Sequence, residues 1–248
     1  MWEDFAAWAG AVDAATHPDA VRFEPAELGP PSPRPRQVIG VGLNYADHAA
    51  ESGLPLPEEP VVFTKFASAV TGPDADVRLP GDTVDWEAEL VIVIGRGGRG
   101  IPESDALSRI AGYTVGQDLS ERTVQWQGTP AQFSMGKSFE NFAPTGPAIV
   151  TLDEFADANR LALSTTITSA DGTETRVQDG STEQLIFGVA DLVSRLSHIV
   201  ELLPGDLVFT GTPPGVGAGM DPKRFLVAGE TLTTEIEGIG TIVQRFHD

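Results

Sequence analysis

The sequence predicts a β-rich α+β fold, and three observations support this class. Segments with strand-like patterns outnumber segments with helical patterns. The two kinds do not alternate regularly, as they would in a parallel α/β fold. A length of 248 residues with 41% hydrophobic composition suffices for one large domain with a small appendage. We therefore expect a small N-terminal segment and proline-rich linker over residues 1–36, followed by one main domain over residues 37–248.

The first half of the chain contains a helix, a linker and several strand-like runs. Residues 2–15 predict a short helix, and the proline-rich residues 28–38 predict an extended linker. The segment VIGVGLNYADHAAESG indicates a buried strand followed by a short helix, with Asn44 as its N-cap and Gly53 at its end. Further elements are expected as strands at 61–66, 88–94 and 113–117 and as a helix at 103–110.

The second half is mostly strand-like around one long helix. Residues 161–169 alternate between apolar and polar side chains, and Asp171-Gly172 is a hairpin turn signal before a further strand. A strand after residue 205 and a hairpin-like meander end the chain. One helical stripe of apolar residues is predicted from Val189, Leu192, Val193, Leu196, Ile199, Val200 and Leu203.

The composition excludes several classes of partner. A formal net charge of −20 argues against binding to nucleic acids or to anionic membranes. The chain has no cysteine, so it cannot contain disulfides. No apolar run approaches the ~20 residues that span a bilayer, and the acidic N-terminus lacks the features of a signal peptide. These observations predict a cytoplasmic protein.

The stretch VDWEAEL places three carboxylates at alternate positions before the apolar run VIVIG. In a continuous strand, Asp85, Glu87 and Glu89 would share one face, and the intervening apolar residues from Trp86 to Leu90 would share the other. Neighbouring carboxylates ~7 Å apart repel each other by ~2.4 kcal/mol at an effective dielectric constant of ~20. Either this face is solvated, or a cation lies between the carboxylates.

Asp118 provides a third acidic element, directly after the strand-like residues 113–117. Together with Glu87 and Glu89 it would supply three hard oxygen ligands, with no thiolate or histidine pair nearby. This ligand set predicts a Mg²⁺ site, with Mn²⁺ or Ca²⁺ as alternatives. A solvated acidic face is the competing interpretation for a chain this acidic.

Residues 95–100, GRGGRG, match the dinucleotide-binding pattern G-x-G-x-x-G after a strand. In that fold a helix begins inside the motif, so that its free N–H groups face the pyrophosphate. Pro102 lies where such a helix would already have begun, and it would remove a donor or break the turn. A glycine-rich turn is therefore favoured, and an NAD-dependent oxidoreductase is the less favoured alternative.

Five segments of the chain carry motifs in a fixed order. They are GLNYADHAAESG, VDWEAELVIVIG, GYTVGQDLSERTVQWQ, MGKSFENFAPTGP and LLPGDLVFTGTPPGVG. Together they resemble the fumarylacetoacetate hydrolase family, and its acylpyruvase-like branch in particular. The resemblance extends from Val38 onward and does not include the N-terminal segment. It implies a catalytic domain built as a β-roll of mixed sheets, of the type of the family's C-terminal domain, and a homodimer.

The resemblance also implies roles for individual residues. The matches are, for metal binding, Glu87, Glu89 and Asp118; for catalysis, His48, Glu51 and Lys137; and for substrate binding, Gln125 and Thr212. Physical reasoning supports the first catalytic pair, because His48 and Glu51 are three residues apart and would share one helix face, where the carboxylate can orient a histidine that acts as general base. For Lys65, a structural and a pocket-lining role both remain open.

These roles predict a hydrolase that cleaves a carbon–carbon bond in a 1,3-dicarbonyl acid, such as an acylpyruvate or a fumarylacetoacetate-like keto acid. The divalent ion would chelate the enolate while His48, oriented by Glu51, activates water. The same metal site would also support decarboxylation of oxaloacetate, or isomerisation or hydration of a 2-keto acid. A non-catalytic metal-binding domain is a further alternative.

Overall fold

The structure is a computed structural model that describes residues 5–13, 15–51, 53, 55–157 and 159–248. The helices are α1 (Phe5–Ala11), α2 (Ala46–Glu51), α3 (Glu103–Ala106), α4 (Arg122–Gln125), α5 (Phe133–Gly136) and α6 (Val189–Ile199). The strands are β1 (Val38–Gly42), β2 (Val61–Thr64), β3 (Val70–Thr71), β4 (Asp74–Arg78), β5 (Val84–Asp85), β6 (Ala88–Ile94), β7 (Ile110–Gln117), β8 (Ser120–Glu121), β9 (Ala143–Val150), β10 (Ala162–Thr168), β11 (Glu174–Ser181), β12 (Leu207–Phe209), β13 (Thr231–Ile236) and β14 (Gly240–His247).

Within the described residues, these strands form a seven-stranded, a five-stranded and a two-stranded sheet. The largest sheet has the order β2-β1-β12-β6-β7-β9-β3, the next has the order β11-β10-β13-β14-β4, and β5 pairs with β8. Both larger sheets are mixed, since β1 runs parallel to β12 and β14 runs parallel to β4 among otherwise mostly antiparallel neighbours. This architecture confirms the predicted β-rich α+β fold with mixed sheets.

β6 lies in the middle of the seven-stranded sheet and is buried along its whole length. Its side chains pack on both faces: Leu90 and Ile92 belong to one hydrophobic cluster, whereas Val91 and Val93 belong to the other. A strand covered on both faces carries a continuous apolar run, which explains the sequence LVIVI. The two clusters therefore fix the strand that carries Glu89.

The stretch VDWEAEL does not form one continuous strand. β5 ends at Asp85, and β6 begins at Ala88. As a result, Trp86 packs in one hydrophobic cluster, whereas Ala88 and Leu90 pack in the other. The prediction that these apolar residues share one face is wrong, because the interruption at residues 86–87 breaks the alternation of a regular strand.

α6 packs in the same cluster as Leu90. Val189, Leu192, Val193 and Leu196 are buried there, as their helical spacing predicts. Ile199, the last residue of the helix, is 78% exposed, so its predicted place in the buried stripe is wrong. The chain becomes extended at the next residue, where helical spacing no longer determines which side chains face the core.

Asn44 connects two parts of the chain and does not occupy the predicted N-cap position, because α2 begins two residues later at Ala46. Its side-chain amide donates to the carbonyl oxygens of Thr210 and Phe187 over 2.7 and 3.1 Å. Its side-chain oxygen accepts the N–H of Phe187 over 2.8 Å. The start of α2 is thereby fixed to the loop that follows β12.

The five-stranded sheet packs against the end of β7. β10 and β11 meet at the predicted turn, where Gly172 has a φ of +86° that glycine adopts without steric cost. On the neighbouring β13, the hydroxyl of Thr234 accepts a hydrogen bond from the side chain of Gln117 over 2.8 Å. This sheet therefore contacts the residue that immediately precedes Asp118.

The N-terminal segment contacts the main body of the chain. α1 lies within the predicted helical range, and Phe5 packs against the hydrophobic cluster that contains Val91. The hydroxyl of Ser32 donates to the carbonyl of Gly205 over 2.6 Å. The division into residues 1–36 and 37–248 stays a prediction. Among the described residues, no helix is both long and apolar enough to cross a membrane.

Candidate metal centre and active site

The pairing of β6 with β7 brings three carboxylates together. Glu89 lies opposite Gly116 in this antiparallel pair, and the N–H of Asp118 donates to the carbonyl of Glu87 over 2.9 Å. Glu87 directly precedes β6 and Asp118 directly follows β7, so both lie at the same end of the pair. One oxygen from each of Glu87, Glu89 and Asp118 lies within 4.8 Å of the other two. The structure thus brings the three predicted metal ligands together.

Two buried lysines lie against these carboxylates. Nζ of Lys137 donates to Oε2 of Glu87 over 2.8 Å, to Oδ2 of Asp118 over 2.6 Å and to Oγ of Ser120 over 2.8 Å. Nζ of Lys65 donates to Oδ1 of Asp118. Lys137, a predicted catalytic residue, therefore contacts two of the three clustered carboxylates. Lys65, whose role the sequence leaves open, is also part of the site.

Arg122 joins the site from α4. One guanidinium nitrogen donates to Oε1 of Glu87 over 2.7 Å and to Oε1 of Gln125 over 2.8 Å. The other two nitrogens donate to Oδ2 of Asp85 over 2.7 and 2.8 Å. Asp85 is thus paired with a cation and does not join the three converging carboxylates. Gln125, a predicted substrate contact, is buried and held by the same arginine.

Neighbouring charges shift the pKa values of the two glutamates in opposite directions. Burial alone would raise the pKa of Glu87, but Lys137 and Arg122 outweigh burial and hold that pKa at about 2. Burial raises the pKa of Glu89 well above its usual value, and the negative charges of Asp118 and Glu87 raise it further. Glu87 is therefore ionised without a metal, whereas Glu89 retains a proton more readily.

The pKa values of the two lysines are also shifted in opposite directions. Burial lowers the pKa of Lys65 despite its contact with Asp118. Burial also acts to lower the pKa of Lys137, but Asp118 and Glu87 outweigh burial and raise that pKa. Since lysine already titrates well above neutrality, Lys137 stays an ammonium ion near neutral pH.

The loop after β12 forms a wall of the site. The N–H of Gly211 donates to Oε2 of Glu89 over 2.7 Å. Thr212, a predicted substrate contact, is buried, and its hydroxyl accepts a hydrogen bond from the side chain of Gln178 over 2.8 Å. The indole N–H of Trp86 donates to the carbonyl of Gly215 over 3.0 Å. The loop that carries Thr212 is therefore held in place by side chains from both larger sheets and from the VDWEAEL stretch.

His48 lies half-buried on α2. The start of this helix is fixed through Asn44 to the carbonyl of Thr210, next to the residue whose N–H contacts Glu89. α2 therefore adjoins the loop that borders the acidic residues. The side chain of Glu51 lies outside the described residues, so its pairing with His48 stays a prediction.

Sequence reasoning missed two glutamines that position the ligands. The side-chain oxygen of Gln117 accepts the N–H of Glu87 over 2.9 Å, and that of Gln178 accepts the N–H of Ala88 over 3.0 Å. Both amides bind the backbone at the interruption in VDWEAEL. Gln117 carried a signal, because a glutamine is unusual at the end of a buried apolar strand. Gln178, in the polar stretch ETRVQDGS, carried none.

The chemistry of the donor set fits a small divalent cation. Glu87, Glu89 and Asp118 offer hard oxygen atoms of the kind that Mg²⁺, Mn²⁺ and Ca²⁺ prefer. Two ionised carboxylates 4.8 Å apart, the upper limit of the separations here, repel each other by about 3.5 kcal/mol at an effective dielectric constant of ~20. A cation between them would remove this repulsion and favour the ionised form of Glu89. The identity of the metal stays a prediction.

The glycine-rich residues 95–100 have a structural role. The N–H of Gly98 donates to the carbonyl of Leu202, and the N–H of Gly100 donates to the carbonyl of Ser197, each over 2.9 Å. A Cβ atom at Gly97 would lie 2.1 Å from the same Leu202 carbonyl oxygen. Glycine here permits close backbone packing, and these N–H groups are bonded within the protein. Both facts favour the turn over a pyrophosphate-binding site.

Comparison with known families decides the classification. Residues 37–247 match the family described as fumarylacetoacetate (FAA) hydrolase C-terminal. The chain belongs to the fumarylacetoacetate hydrolase family. The predicted resemblance is thereby confirmed over the β-rich part of the structure.

Relatives within this family carry more than one activity in their names. Oxaloacetate tautomerase FAHD2A, mitochondrial, of Homo sapiens is 42% identical over 234 residues, which cover 94% of this chain and 73% of the relative. The structure of 5-carboxymethyl-2-hydroxymuconate delta-isomerase from Mycobacterium smegmatis has a TM-score of 0.74 and 37% identity, covering 86% of this chain and 79% of that one. The fumarylacetoacetate hydrolase from Exiguobacterium antarcticum has a TM-score of 0.78 and 34% identity, covering 95% and 82%.

We predict that Mg²⁺ binding to the metal-free protein releases protons and strengthens as pH rises. The raised pKa of Glu89 means that a proton competes with the metal for this carboxylate. This competition weakens as the pH rises toward the pKa of Glu89. Calorimetric titration of Mg²⁺ in two buffers with different ionisation enthalpies measures the released protons. A binding heat that is equal in both buffers, with an affinity independent of pH, would contradict the prediction.

Proposed function

We propose that this protein is a divalent-metal-dependent isomerase that interconverts the keto and enol forms of a 2-keto acid, with oxaloacetate as the first substrate to test. Two relatives named above, a tautomerase and an isomerase, support this reaction class over hydrolysis. Membership of a family does not by itself decide the chemistry, so the arrangement of charges at the site must also fit.

The balance of buried charges carries the proposal. Four acidic side chains and three basic ones lie in one cluster: Asp85, Glu87, Glu89, Asp118, Lys65, Lys137 and Arg122. With all seven ionised, the cluster has one excess negative charge. A divalent cation would convert this excess to one positive charge. A site of that charge favours a small anionic substrate such as a keto dicarboxylate.

Each ligand and contact has a distinct task in this proposal. When bound by Glu87, Glu89 and Asp118, a divalent cation supplies a Lewis acid that polarises the keto oxygen of the substrate. Lys137, which stays an ammonium ion, stabilises negative charge that develops on the substrate oxygen. Gln125 and Thr212 supply neutral polar groups that orient the substrate.

Interconversion also requires a group that moves a proton. Going from keto to enol, a proton leaves the carbon next to the carbonyl and a proton is added to the carbonyl oxygen; the reverse reaction runs both transfers backwards. Lys137 is unsuited to accept the carbon proton, because its pKa is raised. We assign this transfer to the imidazole of His48, because histidine can act as a general base and because α2, which carries it, adjoins the loop that borders the acidic residues.

Hydrolysis of an acylpyruvate is the second candidate, favoured by the match to the Exiguobacterium antarcticum hydrolase. It requires the same metal and lysine, but His48 would instead take a proton from water that attacks the acyl carbonyl. Decarboxylation of oxaloacetate uses the same metal site and releases carbon dioxide. The three reactions therefore differ in their products, which makes them separable in one set of assays.

We further propose that the protein is a cytoplasmic homodimer. The homodimer follows from the family resemblance. Two valines, Val61 and Val62, are 44% and 49% exposed on β2, which is an edge strand of the seven-stranded sheet. An exposed apolar edge of this kind suits contact with a second copy.

We predict that Mg²⁺ restores oxaloacetate tautomerisation to protein stripped of metal. The enol form of oxaloacetate, dissolved in an aprotic solvent, is diluted into aqueous buffer with the protein, and the decay of the enol absorbance measures the rate of tautomerisation. Assays for pyruvate and carbon dioxide detect decarboxylation. An assay for acetate released from acetylpyruvate detects hydrolysis. Faster enol decay without pyruvate or acetate supports the isomerase. Acetate release from acetylpyruvate, with enol decay at the uncatalysed rate, would instead select the hydrolase.

We also predict that His48→Gln lowers kcat by about 10²–10⁴-fold, because it removes the proton-transferring imidazole. Mg²⁺ affinity, measured by calorimetry, should stay unchanged since His48 is outside the ligand set. His198→Gln is the matched control, because His198 is exposed on α6 and bonds the Ser194 carbonyl of its own helix. Equal turnover in His48→Gln and in the control would remove His48 from the mechanism.

A further inference from the structure

Asp85 is a densely hydrogen-bonded carboxylate next to the site. It is fully buried, and its Oδ1 accepts the N–H of Gly217 over 2.7 Å and the N–H of Trp86 over 2.9 Å. Its Oδ2 accepts the N–H of Ala218 over 2.9 Å and both Arg122 contacts described above. A buried carboxylate that accepts this many hydrogen bonds is held in one orientation.

Asp85 thereby connects two parts of the site that are remote in sequence. On one side, the guanidinium of Arg122, which is bonded to Asp85, also contacts Glu87, a predicted metal ligand, and Gln125. On the other side, the backbone at Gly217 belongs to the end of the loop that carries Thr212. The fit at Gly217 is close, because a Cβ atom there would lie 2.9 Å from Asp85 Oδ1 and 1.8 Å from a backbone oxygen.

The charge of Asp85 also affects the competition for Glu87. Arg122 and a bound divalent cation both attract the Glu87 carboxylate. While Asp85 balances the guanidinium, Arg122 is shared between two anions and attracts Glu87 less strongly. If the negative charge of Asp85 is removed, Arg122 has one carboxylate left as partner and competes more strongly with the metal.

We propose that Asp85 is a positioning residue that keeps Glu87 available to a divalent cation by balancing Arg122, and that it anchors the 217–218 backbone with the same carboxylate. This role rests on the metal site of the proposed function and is independent of which keto acid is converted. It concerns metal affinity in the resting protein, so it is measurable without substrate.

The test compares Mg²⁺ binding to metal-free wild type, Asp85→Asn and Asp85→Glu by calorimetry. Asp85→Asn preserves the shape and removes the charge, and we expect it to weaken Mg²⁺ binding about 10–100-fold, as losses of groups that orient metal ligands do. Asp85→Glu keeps the negative charge on a side chain that is longer by one methylene group. Its Mg²⁺ affinity should be much closer to that of wild type than the affinity of Asp85→Asn is. Its KM for substrate should rise, because the 217–218 backbone must move.

Asp206→Asn is the matched control for loss of a buried carboxylate. Asp206 is also fully buried and accepts the N–H groups of Gln37 and Leu203 over 3.0 and 2.8 Å, but it lies beside the opposite end of β6, at Ile94. We expect this variant to lose stability without losing Mg²⁺ affinity. Thermal unfolding followed by circular dichroism shows which variants are folded at the temperature of the titration.

The outcomes separate the role of Asp85 from the metal site itself. Folded Asp85→Asn that binds Mg²⁺ as tightly as wild type would overturn the role of Asp85 and leave the site intact. Wild type that binds no divalent cation would overturn both. If Asp85→Asn does not fold, Asp85→Glu decides: near-wild-type affinity supports charge balancing, and a loss of about tenfold or more contradicts it.

Discussion

The antiparallel pairing of β6 with β7 is the interaction on which the rest of the site depends. It places Glu87 and Asp118 at the same end of the pair and sets Glu89 opposite Gly116. Gly116 is needed there, because a Cβ atom would lie 2.4 Å from Val91 and 2.7 Å from Phe209. Burial of β6 between two hydrophobic clusters then prevents the strand from shifting to relieve the repulsion between its carboxylates.

Hydrophobic burial therefore holds together charges that would separate in water. Two lysines and an arginine compensate for most of the negative charge, and each contacts at least one of the clustered carboxylates. Compensation is incomplete at Glu89, whose raised pKa reflects burial and the negative charges beside it. A site for a divalent cation requires such incomplete compensation, because the cation gains binding free energy by neutralising the negative charge that remains.

The loop after β12 shows how one stretch of sequence serves both metal and substrate. Asp85, Trp86 and Glu89 each bind its backbone, at residues 217–218, 215 and 211. The interruption of the strand at residues 86–87 makes this possible, since a regular strand would direct Trp86 to the face of Ala88. The three carboxylates of VDWEAEL thus have two roles. Glu87 and Glu89 are part of the acidic cluster, whereas Asp85 binds the backbone of the loop and the side chain of Arg122.

Local patterns and the family resemblance were sufficient for the fold class, most elements and the three clustered carboxylates. The apolar run after Glu89 marks a central strand, and Asp118 follows the next strand, so their proximity could be predicted. The contact of Lys65 with Asp118 could not, because the two residues are 53 positions apart and no local periodicity relates them. The interruption in VDWEAEL was also missed, since it depends on the amides of Gln117 and Gln178 from other strands.

The most direct test of the account is a crystal structure of the protein grown with Mn²⁺, with data collected to reveal the anomalous signal of manganese. We expect one strong peak between the carboxylates of Glu87, Glu89 and Asp118, with Lys137 moved away from at least one of its two carboxylate partners. A well-ordered site with no peak there, and with both lysines still bonded to Asp118, would contradict the assignment of a metal centre.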